Sequence, residues 1–224
     1  MTNIVHEVKQ GDTLSKIARE YGVSIEDILA INSEIKNPSM IKVGQKINIP
    51  NVTIFVSMHF NGKTLAVTTS RTLNKDTSEN VSKYQARSGV PKGSPSIPSL
   101  NKKYNLSLKT NIDYTQPQHD NVSFAGPIPD GWFGTARTYY LKLSSDMTYQ
   151  RTGDAWGVGG WILQETFLNS RVGRDGFFLH HDGGNPGTAG CIGLVHGNDM
   201  NEIQSLLRRA YKTGQRNVTI TVQY

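Results

Sequence analysis

Cys191 is the only cysteine in 224 residues. No disulfide can therefore close within the chain, and whatever it folds into must be held by packing. The length suits one large domain or two modest ones. Hydrophobic residues at 36% and charged residues at 19% are ordinary for a globular protein, whereas 22 glycines favour a turn-rich, β-rich fold over a helical bundle. The formal charge of +6 and a pI near 9.4 favour polyanionic partners, among which nucleic acid and anionic wall polymers both qualify. No stretch approaches the ~20 apolar residues of a membrane span. Met1-Thr2-Asn3-Ile4-Val5-His6-Glu7 lacks the basic patch and apolar core of a leader, so the expectation is action in the cytoplasm or exit by a route that reads no leader.

The first 50 residues read as one compact unit of order βααβ. Val5 and Val8 fit a short strand, and Gly11-Asp12 marks a turn. Thr13 can cap a helix whose apolar face, Leu14, Ile17, Ala18 and Tyr21, recurs at i, i+3, i+4 and i+7, with Gly22 as its C-cap. Ser24 starts a second helix with Glu26 and Asp27 in the first turn, where acids complement the helix dipole. Asn32 to Pro38 is polar loop, and Val43 to Pro50 reads as a turn into an alternating strand.

Val8-Lys9-Gln10-Gly11-Asp12-Thr13-Leu14-Ser15-Lys16-Ile17-Ala18, Tyr21-Gly22-Val23, Ile31-Asn32 and Val43-Gly44-Gln45-Lys46-Ile47-Asn48-Ile49-Pro50 together resemble a LysM domain over nearly its whole length. The resemblance implies binding of N-acetylglucosamine-containing glycans in a shallow groove between two loops. Here those are Gly11, Asp12, Thr13 and Leu14 facing Asn37, Pro38, Ser39, Met40 and Ile41. Backbone groups would bond acetamides while Met40 and Ile41 cover apolar faces. Leu14 is better read as core.

Val52 to Met58 is a strand, and Asn61-Gly62 is a hairpin signal leading to Leu65-Ala66-Val67, so a second domain is expected over 52–224. About 78–122, rich in Ser, Asn, Lys and Pro, reads as an irregular insertion carrying Lys83, Arg87, Lys92, Lys102 and Lys103 as solvated charge. Strands resume over Gly134 to Leu143. Trp156 to Thr166 reads as a Gly-punctuated loop or hairpin near a site. Gly176 to His180 is a short strand ending in a histidine. Asp199 suits the N-cap of an amphipathic helix through Met200, Ile203, Leu206, Leu207, Ala210 and Tyr211, and Val218 to Val222 is a last strand. The expected fold class is α+β: the small βααβ unit, then a mostly β domain with one C-terminal helix.

The segment His180-His181-Asp182-Gly183-Gly184-Asn185-Pro186-Gly187-Thr188-Ala189-Gly190-Cys191-Ile192-Gly193-Leu194 carries the chemistry. Free thiols titrate near ~8.5, so a nucleophilic cysteine needs a base within reach. A Gly-rich turn lets backbone N–H groups approach an oxyanion. The segment resembles the L,D-transpeptidase (YkuD-type) catalytic domain, in which a strand-end His precedes a Ser/Thr-x-Gly-Cys motif. Gly126-Pro127-Ile128-Pro129-Asp130-Gly131 looks like that family's Pro-x-Gly turn before a strand. The resemblance implies Cys191 attacking a stem-peptide carbonyl of peptidoglycan, a thioester resolved by an amine or water, His180 as base, and N–H groups around Gly190 and Cys191 as oxyanion donors. It departs from the family at Gly193, where an Arg is common, and at Ala189. Arg171, Arg174 or Arg137 are candidates for the carboxylate-binding role. The pattern suits a divergent branch that includes antibacterial effectors acting on the wall, delivered by a secretion system, a phage particle or lysis.

His181 competes with His180 for the base, but strand neighbours point to opposite faces, so one of them meets Cys191. Asp182 either orients the imidazole or stabilises a turn. His196 is a surface residue. Trp132, Trp156 and Trp161 are core side chains, unless the glycines around the last two place them in a cleft. No His-Glu-x-x-His or paired-Cys spacing supports zinc on His180, His181, Cys191 and His196, so neither a metal nor another cofactor is expected. The partners implied are glycan strands and stem peptides. No recognition motif supports nucleic acid. The non-enzymatic alternative is a glycan-binding structural or assembly protein with a degenerate second domain.

Overall fold

The computed structural model describes residues 4–73, 75–123, 125–130, 136–150, 159–165, 174, 176–182 and 188–224. The first unit has the expected order: β1 (Ile4–Glu7), α1 (Leu14–Tyr21), α2 (Ile25–Ile31) and β2 (Lys46–Ile49), with β1 and β2 antiparallel. Local chemistry accounts for the boundaries. Thr13 Oγ1 accepts from Lys16 N at 3.2 Å, filling one of the orphan amides of α1. Gly22 ends α1 in the left-handed region at φ +69, and Val23 N donates back to Ala18 O at 3.0 Å. At α2, Ser24 and Asp27 form a reciprocal capping box. Ile17, Ile28, Ile47 and Ile49 are fully buried between helices and ribbon. Each such side chain is worth roughly 2 kcal/mol, so burial outweighs the ~1 kcal/mol of a single cap. Asn32, wholly buried, ties α2 to β2 by donating to Asn48 O at 2.7 Å and accepting from Asn48 N at 2.8 Å.

The remaining strands form one nine-stranded sheet: β3 (Val52–Phe60), β4 (Thr64–Leu73), β5 (Asp76–Gly89), β6 (Arg137–Lys142), β7 (Gly160–Ile162), β8 (Gln164–Glu165), β9 (Phe178–His181), β10 (Thr188–Leu194) and β11 (Asn217–Val222). Its order is β7-β9-β10-β5-β4-β3-β11-β6-β8. The two outermost strands, β7 and β8, are separated by Leu163 alone, so the sheet must curl until its edges approach. Pairs β9–β10 and β3–β11 are parallel and the others antiparallel. Helix α4 (Gly197–Lys212) runs between β10 and β11 and packs on β3, β9 and β10.

Three sequence expectations change here. The irregular insertion does not begin at about 78, because Asp76–Gly89 is a 14-residue strand paired with β4 along ten positions. Its first half is exposed on both faces, so no apolar alternation betrays it. The segment that follows has order of its own: helix α3 (Ile97–Tyr104) and a 3₁₀ turn at Pro117–His119 surround a second small core of Val90, Ile97, Tyr114 and Ala125. The sheet unit therefore carries a helix besides α4. Finally, α4 begins at Gly197 with His196 as N-cap, and Asp199 lies inside the first turn.

The first unit docks on the sheet rather than hanging from it, and both share a continuous apolar core. Arg71 on β4 donates to Gly22 O at 2.8 Å and pairs with Asp27 at 3.3 Å, while Lys212 on α4 pairs with Glu20 and lies 5.0 Å from the centre of the Tyr21 ring. No helix among the described residues is long and apolar enough to cross a membrane.

Candidate functional site

Strand register decides the geometry around Cys191. In the parallel pair β9–β10, Leu179 is opposite Ile192, His180 opposite Gly193, and His181 opposite Leu194. Cys191 lies two residues before Gly193, the partner of His180, within the stretch Thr188–Gly193 where the register of β10 against β5 shifts, and His180 points to one face of β9. His181 goes to the other face, towards α4, where its ring lies against Gly197. His181 Nδ1 is buried and has no hydrogen-bond partner among the described residues.

A single row crosses four strands at this level: Gly160 on β7, His180 on β9, Gly193 on β10 and Arg87 on β5. Glycines on both sides of His180 remove the side chains that would otherwise crowd the imidazole. Gly160 approaches so closely that a Cβ there would stand 2.7 Å from His180 Cβ. His180 Nδ1 bonds the carbonyl of His181 at 2.7 Å. A carbonyl only accepts, so Nδ1 carries the hydrogen and Nε2 is the basic nitrogen of the neutral ring. Burial pushes the His180 pKa below its ordinary value, and the bond to His181 O partly opposes that.

Cys191 is 6% exposed and follows Gly190, whose φ of +96 falls where the register of β10 shifts. A Cβ on Gly190 would fall 2.2 Å from Arg174 Nη2 and 2.7 Å from the Phe177 ring, so glycine is required both by conformation and by space. Arg174 is itself buried. Its guanidinium donates to Pro127 O at 2.9 Å, to Gly126 O at 3.0 Å and to Asp120 O, stacks 5.3 Å from Phe177, and attracts Cys191 electrostatically. Desolvation lowers its pKa, although a guanidinium stays charged. Leaving three buried carbonyls without donors would cost about 1–3 kcal/mol each, so Arg174 is a clamp rather than the carboxylate-binding residue considered from the sequence. Arg137 lies 5.8 Å from the Tyr139 ring, and Arg171 falls outside the described residues.

The 126–130 segment is held carbonyl by carbonyl. Besides Arg174 on Gly126 and Pro127, Tyr224 Oη donates to Ile128 O at 2.8 Å, Tyr139 Oη to Pro129 O at 2.8 Å, and Ile128 N to Ser88 Oγ at 2.7 Å. Burial raises the Tyr224 pKa far above its usual range, consistent with a neutral phenol donor. Asp182 is tied to a distant strand. Its buried carboxylate pairs with Arg87 Nε at 2.7 Å, and its N–H donates to Leu194 O at 2.9 Å, prolonging the β9–β10 ladder. Arg87 is thus a strand residue beside the site rather than loop charge. Sequence reasoning missed it along with Ser88, Tyr139 and Tyr224, since nothing near them in the chain marks what they touch. Trp161 is core, with Nε1 donating to Met147 O at 3.1 Å, and His196 is exposed. Trp132, Trp156, Gly131 and the loop 183–187 lie outside the described residues, as do the side chains of Thr188 and Ala189.

In the first unit, Val8 N donates to Gln45 O and Gly44 N to Val8 O, continuing the β1–β2 ribbon into its loops. The stretches Gly11–Leu14 and Asn37–Ile41 thereby flank the same end of the ribbon. Their groups are not equally available. Asp12 accepts from Lys9 N at 2.8 Å and from His6 Nε2 at 2.9 Å, and these bonds hold its carboxyl below the usual range. Gly11 O accepts from Lys16 Nζ at 2.8 Å, Thr13 is spent on its cap, and Asn37 Oδ1 accepts from Ser39 N at 2.9 Å. Leu14 is core at 2% exposure and Ile41 half-buried against it, whereas Pro38 and Met40 are exposed, Met40 at 68%.

Residues 6–50 match the model of the LysM domain family and form such a domain. The chain is 43% identical over 47 residues to "SpoIVD-associated factor A" of Bacillus subtilis (strain 168), covering 21% of this chain and 12% of that protein. It is 39% identical over 70 residues to "Endolysin" of Bacillus phage PZA, covering 31% of this chain and 24% of that one. It is 41% identical over 54 residues to "N-acetylmuramoyl-L-alanine amidase XlyB" of Bacillus subtilis (strain 168), covering 24% and 17%. In each case the match spans less than a quarter of the relative's own length.

Proposed function

We propose that this protein acts at the bacterial cell wall, its residues 1–50 binding the glycan of peptidoglycan and its residues 52–224 forming an L,D-transpeptidase-like domain that cleaves stem peptides through a Cys191 thioester. The observation that carries the reading is the register of β9 and β10, in which His180 is opposite Gly193, two residues along from Cys191, and is flanked on its other side by Gly160. The LysM domain and the endolysin and amidase names among the relatives support a wall substrate.

In this reading His180 Nε2 takes the thiol proton, and Cys191 Sγ attacks the carbonyl carbon of a stem amide. Charge develops on the carbonyl oxygen, which accepts hydrogen bonds donated by backbone N–H groups around Gly190 and Cys191. The C–N bond breaks as His180 returns the proton to the departing amine, leaving the acyl group on sulfur. An incoming amine or water then gives its proton to His180 and displaces the sulfur, which regains a proton. Transpeptidation and carboxypeptidation differ only in that acceptor. Arg174 assists without touching substrate, since a guanidinium beside a cysteine favours the thiolate and its clamp fixes Gly190. The pair Arg87–Asp182 holds β5 and β9 in step beside the base.

The test is incubation of purified muropeptides with the wild type and with Cys191→Ala, with and without added D-amino acids, read by mass spectrometry. Shortened or exchanged stems from the wild type alone are expected. Identical product profiles from both proteins would defeat the enzymatic reading while leaving glycan binding intact.

A further inference from the structure

Two clefts open along the seam where α1 of the LysM domain meets α4, on the α4 side of the sheet rather than beside Cys191. The larger, of about 760 Å³, is bounded by Arg71 and Tyr84 on the β4–β5 arm, and the smaller, of about 430 Å³, by Lys16 and Arg208; Arg19, Ser205 and Arg209 line both. Arg209 Nε is buried with no hydrogen-bond partner among the described residues, and burial lowers its pKa. A buried guanidinium N–H left unpaired is costly, and it calls for an acceptor that the described residues do not provide.

The acids around the clefts are not that acceptor. Glu202 takes a hydrogen bond from Tyr84 Oη at 3.4 Å, Glu79 from Ser70 Oγ at 3.3 Å, and Glu20 pairs with Lys212. Arg71 is committed to Asp27 and Gly22 O, and Arg208 to Asp146 O. Among the described residues, the cations left facing the seam are Arg19 and Arg209, one from each unit. A carboxylate is the ligand whose two oxygens match a guanidinium fork.

The seam is continuous with the glycan loops. Lys16, whose Nζ bonds Gly11 O, also lines the smaller cleft. Helix α1 starts next to Thr13, and at ~1.5 Å per residue Arg19 lies about 9 Å along it, within reach of a short peptide hanging from a sugar held at Gly11–Thr13. We propose that this seam is a second recognition site, in which Arg209 and Arg19 take the free carboxylates of a stem peptide borne by the glycan that the LysM loops hold. The inference rests on the reading of residues 1–50 as glycan-binding and is independent of Cys191.

The test uses the full chain carrying Cys191→Ala, so that no probe is consumed, and isothermal titration with two peptidoglycan tetrasaccharides bearing identical stems. One keeps its carboxylates and the other has them capped as methyl amides. The expected result is about tenfold tighter binding of the free acid, as for a charge-assisted hydrogen bond, with the difference shrinking as salt rises. Arg209→Gln brings the two affinities together while leaving that of the capped probe unchanged. Arg19→Gln, at an exposed position where folding is not at stake, reduces the difference severalfold. Equal affinities in the parent, or a preference that survives both substitutions, overturn the proposal. Failure of the capped probe to bind at all would instead overturn the glycan-binding reading, and this one with it.

Discussion

In the LysM domain, the groups that shape the candidate glycan loops lie within a few residues of what they hold. Asp12 is tied to Lys9 and His6, Thr13 to Lys16, Gly11 to Lys16 and Asn37 to Ser39. Near Cys191 the hydrogen bonds that hold the described residues are mostly long-range. Ser88, Tyr139, Arg174 and Tyr224 converge on residues 126–129, and Arg87 reaches Asp182 from another strand. Local hydrogen bonds form at small loop entropy and can be lost singly. A convergent set stands only when the whole sheet is closed, so its members are coupled and removing one disturbs the others. Damage is therefore expected to be graded in the first region and cooperative in the second.

The largest effect expected is from Cys191→Ala, which on the proposed chemistry lowers stem-peptide turnover by at least about a thousandfold, measured by muropeptide chromatography, with glycan binding unchanged. His180→Ala is expected to cost roughly 10²–10⁴-fold. In the wild type, the depressed His180 pKa keeps its neutral base form below pH 6.5, so the acid limb of Cys191 alkylation against pH should lie below that value. Loss of the imidazole should move the limb up towards ~8.5, the value for an unassisted thiol, and an unmoved limb would separate His180 from the thiol. The same depression makes His180 stabilising when neutral. That stability is present above 6.5, its unfolded value, and is lost as pH falls through the folded pKa.

Arg174→Met tests the coupling directly. With three buried carbonyls stripped of donors, a loss of at least about 3 kcal/mol in urea unfolding is expected, and Cys191 alkylation should slow in the same variant. A loss below about 1 kcal/mol would mean that the 126–129 segment is held independently, and the contrast between the two regions would fail. The smallest effect expected is that of Thr13→Ala, about 1 kcal/mol from one cap, with turnover of short soluble stems unaffected. A collapse of turnover in that variant would show that the LysM domain and the cysteine region respond as one unit.

The LysM domain was legible because its determinants are short-range. A capping threonine, a 3.6-residue apolar rhythm, Gly22 and the capping box Ser24–Asp27 each act within one turn of the chain. Strand β5 was not legible, since the exposed first half of Asp76–Gly89 faces solvent on both sides and carries no alternation. Helix α3 hid within the same polar composition. Arg87 and Arg174 were visible as charges, but what they touch is decided by segments dozens of residues away.

What can be read from the chain alone is the chemistry on offer: one thiol, two neighbouring imidazoles, a Gly-rich approach and a glycan-binding domain at the start. That His180 stands between two glycines while His181 lies against α4, and that Arg174 holds backbone carbonyls, followed only from the assembled sheet. Residue types and short spacings set local conformation, because their forces act over a few ångströms along the chain. Register and the meeting of distant strands are set by closure of the whole core, in which no single residue records its eventual neighbour.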